Sequence, residues 1–80
     1  MLQAYILIQT ETGKASDVAA FVAAIAGVTS VSAVNGPYDI IALTESADID
    51  ELGSLVTARI QAVDGITRTL TCPLARLYER

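Results

Sequence analysis

The sequence has no histidine and a single cysteine, Cys72. These two scarcities exclude much chemistry. An intramolecular disulfide needs a second thiol, and a zinc site needs ligands that this chain lacks. Nucleophilic catalysis by a Ser-His or Cys-His pair needs an imidazole. Cys72 precedes Pro73 in an apolar stretch and reads as a small buried hydrophobe rather than a reactive thiol. There is no CxxC pair of the metal-carrier kind, no glycine-rich phosphate loop after a strand, and no aromatic RNA-recognition motif.

Charge is also scarce. Charged residues are 18% of the chain, below the usual quarter, and the net charge is −4. The basic grouping of Arg68, Arg76 and Arg80 is too small for a phosphate backbone, so direct nucleic-acid contact is not expected. The acidity is read as solubility. No apolar run reaches the ~18 residues of a membrane span. No basic segment precedes an apolar one at the start, as a signal peptide requires. The expectation is a cytoplasmic protein with no membrane contact and no cofactor.

What is abundant is apolar surface, 52% of 80 residues and much of it Ala and Val. This length supports one domain, residues 1–80. So small a core works against roughly 1.5 kcal/mol of conformational entropy per ordered residue. With no disulfide or zinc staple, oligomerisation is the remaining source of burial.

Hydrophobic periodicity divides the chain. Leu2–Thr10 alternates as a strand, with Leu2, Ala4, Ile6 and Ile8 on one side and Tyr5 and Leu7 on the other. Residues 15–27 read as a helix with the stripe Val18, Phe21, Val22 and Ile25, starting near Ser16 and stopped by Gly27 at C′. Val28–Val34 is a second strand. Asn35–Pro37 form a turn in which Asn-Gly tolerates positive φ, and Tyr38–Glu45 is a third strand.

Asp48–Asp64 reads as a second helix, with Asp48 and Glu51 as a capping pair and Ile49, Leu52, Val56, Ile60 and Val63 as its buried stripe. Ile66–Cys72 is a fourth strand, and residues 73–80 have room for a short further one. AIAGVT at Ala24–Thr29 is echoed by AVDGIT at Ala62–Thr67, an offset of 38.

The order β-α-β-β-α-β, with right-handed crossovers, predicts an α+β ferredoxin-like fold. This is a four-stranded antiparallel sheet with both helices on one face. The other face would carry Tyr5, Leu7 and either Ile40/Ala42 or Ile41/Leu43, and a second copy of the chain is the expected cover.

Two features are candidates for binding. One is the turn NGPYD, Asn35–Asp39. There Asp39 stands at the mouth of the apolar run IIAL, either bonding the amides of its own turn or waiting for a ligand. The other is the row Thr67, Thr69 and Thr71 on one side of the last strand, which also suits plain strand propensity. The carboxylates Glu45, Asp48, Asp50 and Glu51 cluster at a helix start and favour its dipole.

GPYD, Gly36–Asp39, resembles the Gly-x-Tyr-Asp motif of the Lrp/AsnC effector-binding (RAM) domains. The Gly27-Val28 stop before the second strand, and Gly65 followed by ITRTLT, also fit that family over essentially the whole chain. The resemblance implies a non-enzymatic module that binds an amino acid or related metabolite. It implies dimers packed sheet to sheet, often joined into rings of dimers. Carried over, Gly36, Tyr38 and Asp39 would line the site from the turn, and Thr69 and Thr71 from the last strand.

Asp39 would pair the ligand's ammonium, while amides near Gly36 and a threonine hydroxyl take its carboxylate. Usual members begin with a helix-turn-helix domain, whereas this chain starts at Met1 in the first strand. The expectation is therefore a stand-alone domain that partners a full-length Lrp/AsnC-type regulator by mixed assembly. Rival readings are a small cofactor-free oxidising enzyme of the dimeric α/β-barrel type and a ligand-free assembly module. A third is an ACT domain, whose glycine signature after the first strand is met only by Gly13.

Overall fold

The computed structural model describes residues 1–76 and Tyr78. Strand β1 (Leu2–Thr10) leads through a short loop to helix α1 (Ala15–Ala23). Strands β2 (Val28–Ala33) and β3 (Ile40–Ser46) follow, then helix α2 (Ile49–Ser54), which runs into a π-helical segment (Leu55–Ile60), and last strand β4 (Ile66–Pro73). The four strands form one antiparallel sheet in the order β2-β3-β1-β4, the ferredoxin-like arrangement. Among the described residues no helix is long and apolar enough to cross a membrane.

Pairing decides which side of each strand is core. Ile6 stands opposite Ala42, and Ile8 opposite Ile40. These four, with Ala4, are fully buried beneath Val18 and Val22 of α1 and Leu52, Val56 and Ile60 of the second helical stretch. The alternation leaves Ile41 and Leu43 on the other face with Tyr5 and Leu7, since a one-residue step in a strand reverses the side.

Both helices bury narrower stripes than the sequence suggests. Val18 and Val22 are fully buried, but Phe21 is 64% exposed. At 100° per residue, Phe21 lies about 80° from the centre of the Val18–Val22 stripe, too far round to reach a sheet. Ile49 is likewise exposed, and Leu55 is buried instead. The wider turns of the π-helical segment, with Gln61 N donating to Val56 O at 2.9 Å, re-aim its side chains relative to an uninterrupted α-helix.

The Asp48 carboxylate caps the Glu51 amide at 2.9 Å, and Glu51 reaches back to the Ala47 amide at 3.1 Å. α1 opens at Ala15, beside Ser16, with no side-chain cap. Its C-cap is Ala24, so Gly27 is not at C′ but closes the turn that follows. β4 runs to Pro73, and Leu74 N still donates to Gln3 O at 2.8 Å. The further strand expected over 73–80 does not form at Leu74–Arg76, and its positions 77, 79 and 80 lie outside the described residues.

Candidate functional site

The connection between β2 and β3 is six residues, Val34–Asp39, rather than a tight Asn-Gly turn. Neither Asn35 nor Gly36 has positive φ. The longer path relaxes the demand for left-handed backbone and shortens the third strand, which starts at Ile40 instead of Tyr38. Both ends of the loop are held. Val34 N donates to Asp39 O at 3.0 Å, Asp39 N to Ile8 O at 2.9 Å, and Gln9 Nε2 to Pro37 O at 3.2 Å.

The Asp39 carboxylate does not bond the amides of its own turn. Its Oδ2 accepts from Thr10 N at 2.8 Å and from Thr10 Oγ1 at 3.2 Å. The β1–β3 ladder ends at the Ile8–Ile40 pair, so Thr10 at the end of β1 has no opposite backbone on β3 to receive its amide. A half-buried N–H needs an acceptor, and the carboxylate supplies one. Among the described residues Asp39 Oδ1 has no partner. Beside it, Tyr38 is half-buried, and Gly36 is exposed with open space around its Cα.

Thr69 and Thr71 lie on the helix-facing side of β4, opposite Ile8 and Ile6. They edge a groove of about 400 Å³ that Ile49, Val56 and Gln61 line from the helical layer. Gln61 Nε2 donates to Thr69 Oγ1 at 2.9 Å. Thr67 departs from the expected row: it sits at the register slip near Gln9 and Thr10, and its hydroxyl donates to Gln9 O at 3.2 Å.

The two sets of candidate residues are therefore not gathered within one protomer. β1 runs between β3 and β4, and none of Gly36, Tyr38 and Asp39 lines the Thr69–Thr71 groove.

The helix-free face carries a continuous apolar patch. Tyr5 pairs with Leu43 on one side and Cys72 on the other, and Leu7 pairs with Ile41 and Leu70. Tyr5 and Leu70 are 42% and 45% exposed, more than an isolated stable core face would leave. Cys72, expected to be buried, is exposed here, because its position in β4 puts it on the side away from the helices. Sequence reading also missed Thr10 and Gln9. A Thr at a strand end carries no signal of a carboxylate 29 positions away.

The sequence pattern of the Lrp/AsnC ligand binding domain matches residues 3–78. No curated protein matches the chain. Among solved structures, the protein TTHA0845 of Thermus thermophilus is similar over 100% of both chains, with 34% identity and a TM-score of 0.92. Escherichia coli AsnC shares the fold at 21% identity and a TM-score of 0.91, over 99% of this chain and 54% of its own. The regulator NMB0573 of Neisseria meningitidis, solved as a complex with L-Met, shares it at 20% identity and a TM-score of 0.87, over 99% of this chain and 53% of its own.

Proposed function

This chain belongs to the family of Lrp/AsnC ligand binding domains, and on that premise we propose that it is a non-enzymatic regulatory module that binds an amino acid between protomers. Gly36, Tyr38 and Asp39 form one part of the site, and Thr69 and Thr71 the other. The carrying observation is their separation by β1 within a single chain. A ligand embraced by two chains would meet one set from each, and binding and assembly would then be thermodynamically linked.

Asp39 serves two partners. Oδ2 holds Thr10, and Oδ1 is left for an ammonium. Open space at Gly36 admits a ligand carboxylate to the neighbouring backbone amides. The apolar patch of Tyr5, Leu7, Ile41, Leu43 and Leu70 is the dimer interface, packed sheet to sheet about a two-fold axis. Rings of dimers, and mixed assembly with a full-length regulator of the family, complete the reading. The L-Met complex of the Neisseria regulator makes amino acids the first compounds to try.

Gly36→Ala tests the ligand site without disturbing the fold. A Cβ there meets no atom within 4 Å, and φ is outside the left-handed region. Thermal unfolding is measured at constant protein concentration with each amino acid. A ligand at about 100 times its Kd adds roughly 2.7 kcal/mol to the native state. At about 4–8 °C per kcal/mol in so small a domain, that is an easily measured shift. The expected result is a clear shift for one or a few amino acids in the wild type, and its loss in Gly36→Ala with the unliganded midpoint unchanged. A shift of the same size in the variant would remove the loop from the site.

A further inference from the structure

The groove that Thr69 and Thr71 edge differs from its neighbours in charge. None of the nine residues that line its roughly 400 Å³ is charged. Three other cavities of the protomer each include at least one charged side chain: Glu45 in one, Asp64 in the second, Arg68 in the third.

The wall on the helical side is apolar. Leu52 and Val56 are buried there, while Ile49 leaves 60% of its surface exposed and is not part of the core. The polar groups are largely engaged with one another. The Thr57 hydroxyl donates to Gly53 O, and Gln61 Nε2 to Thr69 Oγ1, both at 2.9 Å. A charged group that entered would lose water and meet no counter-ion, which is strongly unfavourable. An apolar group would cover Ile49 without displacing a hydrogen bond.

Gly53 is an independent sign. It stands inside the helical stretch that runs from Ile49 to Ile60, and it lines the groove. Glycine is the poorest helix former after proline. Its φ is not positive, and a Cβ there would meet no atom within 4 Å. Neither backbone conformation nor packing within the protomer calls for glycine at this position. A methyl group there would narrow the groove.

We propose that this groove receives the ligand's side chain, and that the protein selects apolar side chains of the size of leucine or methionine over charged ones. This rests on the shared site proposed above and names its ligand class. The Val34–Asp39 loop of a second protomer holds the charged end of the amino acid, and the groove reads the rest. Ile49, Leu52 and Val56 supply the apolar contact, and Gly53 keeps the space open.

The test is isothermal titration calorimetry of the assembled protein with L-leucine, L-methionine, L-alanine, L-glutamate and L-lysine. Each methylene taken out of water tightens binding about fourfold. The expected result is that L-leucine or L-methionine binds at least about tenfold tighter than L-alanine and than either charged amino acid.

Two variants locate the effect. Gly53→Ala is expected to raise the unliganded thermal midpoint by about 3–8 °C, since the helix gains and nothing is displaced. It should also cut the preference for leucine over alanine about tenfold, by filling the groove. Ile49→Ala, at an exposed wall residue, should cut the same preference several-fold. If L-glutamate or L-lysine binds best, or if both variants keep the preference, the groove is not the selector and the proposal is wrong, while the shared site stands. If none of these compounds binds the wild type, the proposal is also wrong, and the screen of all amino acids with Gly36→Ala decides the shared site separately.

Discussion

Gly27 and Gly65, 38 positions apart, occupy the same conformation in the two halves of the chain, with φ of +98° and +99°. Each carbonyl accepts a backbone amide at 2.8 Å, Gly27 O from Glu45 N in β3 and Gly65 O from Glu11 N just after β1. The turns before them repeat as well: Val28 N donates to Ile25 O and Ile66 N to Val63 O. The echo AIAGVT/AVDGIT is thus a structural repeat. Each copy carries the chain from a helical stretch into an edge strand of the sheet through a backbone that only glycine adopts without strain.

The two glycines are not equal under substitution. A Cβ at Gly65 would sit 3.0 Å from Val18 Cγ2 and 3.2 Å from Lys14 Cβ, whereas one at Gly27 would meet the flexible end of Leu55 at 3.3 Å. Both alanine variants bear a backbone cost of roughly 1–2 kcal/mol. Gly65→Ala adds overpacking of about 1–3 kcal/mol against the core residue Val18. Urea unfolding is expected to rank Gly65→Ala as the less stable variant, and the reverse order would contradict the packing argument.

Asp39 is tied to Thr10 before any ligand arrives. Asp39→Ala leaves the Thr10 amide without its acceptor, for an expected loss of about 1–3 kcal/mol. Asp39→Asn keeps a neutral acceptor and loses less. Hydrogen exchange gives the local readout: the Thr10 amide should exchange faster in Asp39→Ala than in Asp39→Asn, with core amides such as Ile6 changed only by the global loss.

Leu43 lies on the helix-free face opposite Tyr5, outside the core. Leu43→Glu should therefore fold as a protomer yet place an unpaired charge in the proposed sheet-to-sheet interface. Burying such a charge costs about 3–5 kcal/mol, which is a loss of roughly a hundredfold or more in dimer affinity. Sedimentation velocity over a concentration series reads this directly. A variant that stays dimeric at the wild-type concentrations would show that the patch is not the interface.

Thr44 and Ser46 present two buried hydroxyls on one strand, one paired and one not. Thr44→Val removes a donor from the Ala4 carbonyl and is expected to cost about 1 kcal/mol. Ser46→Ala removes an unsatisfied group and is expected to be neutral or stabilising in the unliganded protein. Thermal midpoints of the two variants should therefore move in different directions or by clearly different amounts.

Much of this fold was legible because it rests on periodicity and punctuation. β1 runs from Leu2 to Thr10 as its alternation predicts, and Asp48 with Glu51 caps the second helix. The order of elements and the crossover rule then leave one topology. The candidate site was less legible. GPYD marks the loop between β2 and β3, but the Asp39–Thr10 bond spans 29 positions, and nothing in the local sequence of either residue points to the other. Phe21 and Ile49 fall outside the core despite their place in apolar stripes, because a stripe gives the angle of a helix face and not how far the facing sheet extends.

By itself, then, the sequence determined the order and type of the strands and helices, and that the chain has more apolar surface than two helices on one sheet can cover. These are consequences of local conformational preference and composition, which act within a turn or a strand. Tertiary structure alone decided the rest. It placed Ile40 and Ala42 in the core and turned Ile41 and Leu43 outward, because strand register is set by pairing with β1. It also put β1 between the loop of Asp39 and the threonines of β4, because strand order comes from the crossovers and not from any one segment.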